Sequence, residues 1–167
     1  MLRSVVFALA LLLAMPVAAQ HPEPITRENR KSLRLRGLKT FSVLVEHLDE
    51  IAKRTGIDET TLRVDVELLL RKANINVGSV GPRAAFVYVN VYCLDLKNTG
   101  EEFACNVSIE AYTEVTILAS KQVTDAMIWS TGGMLTALDQ TARERIRASV
   151  ADFTNVLIND ILAARTR

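Results

Sequence analysis

Histidine and cysteine are scarce in this chain, two of each in 167 residues. His21 lies near the amino end, His47 stands alone, and Cys93 and Cys105 lack the close Cys-x-x-Cys spacing of a redox or zinc pair. A metal centre needs clustered ligands, so no metal site and no cofactor are expected. Gly-x-Ser-x-Gly, the turn that presents a nucleophilic serine, is missing too. Gly132-Gly133 is not followed by Lys-Ser or Lys-Thr, so it is read as a strand-to-helix connection and not as a phosphate cradle. Glu110 and Glu114 can share one face of a strand, but at that spacing they stand about 13 Å apart, too far for a retaining-glycosidase pair. No catalytic constellation emerges, and the reading is of a non-enzymatic protein.

Excess charge of one sign is also lacking, with 20 Lys and Arg against 19 Asp and Glu. A near-neutral domain has no field to steer it to nucleic acid, so no nucleic-acid partner is expected. Long apolar runs are confined to the start, where Arg3 precedes Val5 to Ala14, Pro16 interrupts, and Val17-Ala18-Ala19 supplies small residues. That pattern reads as a cleavable signal peptide over 1–19, since a membrane anchor needs about twenty apolar residues. A periplasmic or secreted protein with no membrane span after cleavage follows. Residues 20–37 hold Arg27, Arg30, Lys31, Arg34 and Arg36 against Glu23 and Glu28, and read as a basic flexible amino-terminal arm. A single α/β domain is expected over 38–167.

Within that domain Phe41, Val43 and Val45 alternate with Ser42, Leu44 and Glu46, which predicts a strand. Asp58 can cap a helix whose apolar positions are Leu62, Val66, Leu69 and Ala73, and Asn74 ends it. A short strand "INVGSV" and a turn at Gly81-Pro82 lead to three more strands between Ala85 and Ser130, the last ending at Gly132-Gly133. Thr141 and Glu144 suit a capping box, and Ile146, Val150, Phe153, Leu157 and Ile161 form one stripe of a long final helix. The order β-α-β-β-β-β-α predicts an α+β fold: a two-layer α/β sandwich, its mostly antiparallel sheet of about five strands carrying two helices on one face. The order of elements is similar to that of small periplasmic α/β modules such as the amino-terminal domain of the Tol-Pal translocation protein, a likeness of architecture that does not fix function.

The two cysteines fix the pairing of the central hairpin. If Asn98-Thr99-Gly100 closes it, Cys93 faces Cys105, Val91 faces Val107, Val89 faces Ile109 and Val87 faces Ala111, so one side is wholly apolar. A slip of one residue would set apolar against polar positions throughout. In an oxidising compartment the facing thiols are expected to form a disulfide that staples the hairpin. On the other side Asn90 faces Ser108, Tyr88 faces Glu110 and Phe86 faces Tyr112. If Ser120-Lys121 turns the next hairpin, Val115 faces Ala126, Thr113 faces Ile128 and Tyr112 faces Trp129. Phe86, Tyr88, Tyr112, Met127 and Trp129 would then form an aromatic-bearing patch away from the helices, the candidate binding face. The expectation is an exported protein-interaction or envelope-associated module that binds a protein or envelope partner through this open face or a strand edge. The alternative is a small-ligand carrier with a pocket between helices and sheet.

Overall fold

The structure is a computed structural model that describes residues 34–78 and 85–166. The expected signal peptide and the arm up to residue 33 lie outside the described residues, as does the turn at Gly81-Pro82. The described elements are β1 (Thr40–Val45), α1 (Glu50–Arg54), α2 (Glu59–Lys72), β2 (Asn76–Val77), β3 (Ala85–Asp95), β4 (Glu102–Thr116), β5 (Val123–Leu138) and α3 (Asp139–Arg165). The sheet order is β2-β1-β3-β4-β5. β1 runs parallel to β2 and β3, while the long ladders β3–β4 and β4–β5 are antiparallel. This is the expected α+β sandwich with a mixed sheet. Leu35, in the segment read as an arm, is already buried in the core.

Helix α2 starts and stops for local reasons. The Asp58 carboxylate accepts from the Thr61 amide at 2.8 Å, and Asn74, at φ 56°, takes the left-handed conformation that ends it. Its face Leu62, Val66 and Leu70 is fully buried, each such side chain contributing about 1.5–3 kcal/mol of transfer free energy. The short α1 has no counterpart in the sequence reading. Asp49 caps it, accepting from the Ala52 amide at 2.6 Å, and the chain leaves it through Gly56 at φ 79°. Its last residue, Arg54, reaches the Asp95 carboxylate at 2.9 Å and lies over the Phe103 ring at 5.9 Å, pinning α1 to the β3–β4 hairpin.

In the β3–β4 hairpin the pairing runs from Phe86–Tyr112 to Asp95–Phe103 with Cys93 opposite Cys105, the register that the valine pattern selects. The two cysteines form a disulfide, their Cα atoms 4.1 Å apart, with both side chains fully buried on the helix side. Asp95 organises the turn beyond it, accepting from the Gly100 amide at 2.8 Å and the Lys97 amide at 3.2 Å. Burial works against the ionised form, but those amides and Arg54 together hold its carboxyl below the usual range. Peptide mapping without reduction should find the Cys93 and Cys105 peptides joined. Changing both cysteines to Ala should cost about 1–3 kcal/mol in urea unfolding, because the closed loop is short and the hairpin already restrains it. Free alkylation of both thiols in oxidised native protein would refute the pairing.

Three expectations for the carboxyl-terminal half need correction. The β4–β5 loop is longer than a turn at Ser120-Lys121: the Ile117 amide donates to Gln122 O at 2.8 Å, and Lys121 sits at φ 58°. The pairs are therefore Val115–Thr124, Thr113–Ala126 and Tyr112–Met127, and an irregularity then follows, so that Ala111 faces Trp129. Ile128 is the extra residue of a β-bulge, which turns Ile128 and Trp129 both toward the helices. Second, β5 does not stop at Gly132-Gly133 but runs through them to Leu138. The glycines serve close approach: a Cβ on Gly132 would lie 2.7 Å from Val107 O, and one on Gly133 would lie 3.2 Å from the Phe153 ring. Third, α3 begins at Asp139 with no side-chain cap, and Thr141 bonds Leu138 O instead of closing a box with Glu144. The stripe Ile146, Val150, Leu157 and Ile161 is buried as expected, while Phe153 is only partly buried against Gly133.

Candidate functional site

Alternation along the strands sends every second side chain to the side of the sheet opposite the helices. From β3 these are Phe86, Tyr88, Asn90, Tyr92 and Leu94, and from β4 Glu102, Ala104, Asn106, Ser108, Glu110, Tyr112 and Glu114. β1 adds Ser42 and Leu44, with Glu46 just beyond it, and β5 adds Asp125, Met127, Ser130, Met134 and Leu138. Three bands cross this face. At the hairpin end Tyr92, Leu94, Met134 and Leu138 are exposed, Met134 at 78%. The middle band is polar, with Asn90, Ser108 and Gly132 in register. The third band is aromatic.

In the aromatic band the Phe86 and Tyr112 rings stack at 5.0 Å, and Tyr88 meets Tyr112 edge-on at 6.2 Å. Met127 lies beside Tyr112 in register and is 50% exposed, and Leu44 lies beside Tyr88. The structure thus brings together four of the five predicted face residues: Phe86, Tyr88, Tyr112 and Met127. Trp129 is the correction. It is 3% exposed, belongs to the core, and its Nε1 donates to Asp160 Oδ2 of α3 at 2.7 Å. The bulge at Ile128 moved it to the helix side.

Carboxylates surround the aromatic rings. The Tyr112 hydroxyl donates to Glu110 Oε2 at 2.7 Å; with burial and the Glu110 charge, that bond pushes its pKa up to about 12. Burial raises Tyr88 too, together with the neighbouring Glu46 carboxylate and the charge of Glu110. Glu46 accepts from the Asn90 amide group. The phenols therefore stay neutral at ordinary pH, as hydrogen-bonding rims to flat apolar faces. Neither Glu46 nor Glu110 figures among the face residues predicted from the sequence, although the alternation places both beside Tyr88.

The remaining candidates do not gather into a site. His47 Nδ1 pairs with Glu59 at 3.0 Å on an exposed strand end, and Glu59 also accepts from the Leu48 amide. Among the described residues no group of three or more His, Cys, Asp or Glu could hold a metal ion. Facing side chains such as Val87, Ile109, Leu62 and Ile146 are fully buried where helices meet sheet. One surface depression, of about 310 Å³, lies instead between α2 and α3 beside Asp65 and Arg147. Among the described residues no helix is long and apolar enough to cross a membrane.

No protein-family model matches the chain, and no curated protein does. Solved structures with partial likeness include a minor lipoprotein from Acinetobacter baumannii, with TM-score 0.45 and 10% identity over 77% of this chain and 93% of that one. The PelC dodecamer from Paraburkholderia phytofirmans gives TM-score 0.41 and 15% identity over 71% of this chain and 84% of its own. A hypothetical protein from Chlamydia trachomatis gives 0.43 and 8% over 74% and 98%. Similarity at this level identifies neither a family nor an activity for this chain.

Proposed function

We propose that this chain is an exported, non-enzymatic binding module whose contact surface is the helix-free face of the sheet. The observation that carries the reading is the exposure of Leu44, Tyr92, Leu94, Met127, Met134 and Leu138 on that one face. Isolated exposed apolar residues are ordinary, but a set gathered on one side of a sheet is characteristic of contact surfaces. Export rests on Arg3, the apolar run Val5 to Ala14 and the small residues before Gln20, together with the disulfide.

The test is capture from an envelope extract on immobilised protein. Tyr92→Ser with Met127→Ser should abolish capture of a specific partner, while the melting temperature falls by only about 2–4 °C, since both side chains are half exposed. Retained capture in the double variant would sink the reading.

A further inference from the structure

Among the described residues, the strands of the helix-free face carry charge of one sign. None of the five strands contains a Lys, Arg or His, whereas Glu102, Glu110, Glu114 and Asp125 all project from this side and Glu46 lies at its margin. Glu102 is neutralised by Lys97 at 3.2 Å. The others have no ion-pair partner among the described residues. Glu114 stands directly opposite Asp125 in the ladder, a like-charge pair that disfavours the sheet by itself. Glu46 and Glu110 flank Tyr88, and both charges act on its hydroxyl. The helices do not share this imbalance: α2 has Arg63, Arg71 and Lys72 against Glu59, Asp65 and Glu67, and α3 has four arginines against four acids.

Resting on the reading above, we infer that the partner of this face is a cationic polypeptide segment, extended across the strands with Lys or Arg side chains set among Glu46, Glu110, Glu114 and Asp125. Three features select that chemistry. A cation relieves the Glu114–Asp125 repulsion and gains Coulomb energy from Glu46 and Glu110. The Tyr88 and Tyr112 hydroxyls stand among those carboxylates, and the half-exposed Leu44 and Met127 accept the alkyl stems. The same carboxylates repel phosphate, which disfavours nucleic acid and anionic lipid headgroups.

The test uses a labelled peptide of alternating lysine and valine, titrated into the purified protein and followed by fluorescence anisotropy. Saturable binding is expected, weakening about tenfold or more between about 50 and about 500 mM NaCl as the charges are screened. Glu110→Gln with Glu114→Gln should weaken it about tenfold at the lower salt, equivalent to about 1.4 kcal/mol. The amide introduced by Glu110→Gln keeps an acceptor oxygen for the Tyr112 hydroxyl, so the fold is not the variable. Asp152→Asn, on the exposed side of α3, should change nothing. Equal binding of an alternating glutamate–valine peptide, or indifference to the Gln substitutions, would overturn the inference. Binding seen only after Arg27, Arg30 and Lys31 are changed to Gln would make this chain's own basic segment the occupant, and overturn it also. If Tyr92→Ser with Met127→Ser abolishes partner capture while the Gln variants leave peptide binding intact, the cationic assignment fails and the contact surface stands.

Discussion

Replacing Trp129 by alanine is expected to destabilise the domain by about 3–5 kcal/mol, measured by urea unfolding followed with circular dichroism. The indole fills the space between β5 and α3 at 3% exposure, so truncation leaves a cavity where two layers meet. It also removes the 2.7 Å bond to Asp160, leaving a part-buried carboxylate without its donor. Asp160→Asn keeps an acceptor oxygen and should cost much less than Asp160→Leu, which strands the indole N–H. A loss below about 1 kcal/mol for Trp129→Ala would mean that the side chain is not in the core, and would return it to the outer face.

The second large effect is expected at Gly132. A side chain there points at backbone: its Cβ would stand 2.7 Å from Val107 O and 3.1 Å from Ser108 Cα, neither of which can turn aside. Gly132→Val should cost about 3 kcal/mol or more, the upper part of the range for overpacking, through displacement of β5 from β4. Gly133→Ala is the comparison. Its Cβ would meet the Phe153 ring edge at 3.2 Å, a side chain only partly buried, and a loss of about 1 kcal/mol is expected. Equal tolerance at both positions would show that the glycines merely link strand to helix.

The parts of the fold that could be read directly are those where two patterns agree. In the β3–β4 hairpin the valine alternation, the facing cysteines and the Asn98-to-Gly100 turn all demand one register, and that register is present. Helix α2 has both a cap and a stop in its sequence, and α3 has a long apolar stripe. The β4–β5 hairpin offers a weaker constraint, because its loop needs a non-glycine residue, Lys121, at positive φ. The adjacent apolar residues Ile128 and Trp129 break the alternation of two, and that break is the only local mark of the bulge. A strand read without it carries the tryptophan to the wrong side. Helix α1 has only five residues, too few for periodicity to show, and is held by tertiary contacts from Arg54. The candidate face was legible as four aromatic and apolar positions. Its acidic character was not, because overall composition averages the sheet with balanced helices.

The burial of Trp129 between layers has a practical consequence for every experiment above. It is the chain's single tryptophan, so emission excited at the red edge of aromatic absorption comes from one place, the seam where α3 lies on β5. A buried indole held near a carboxylate reports separation of that helix through the colour and polarisation of its light, whereas the proposed contact face lies on the other side of the sheet. Fluorescence of this residue therefore distinguishes a variant that has loosened its helix layer from one that has only lost its partner.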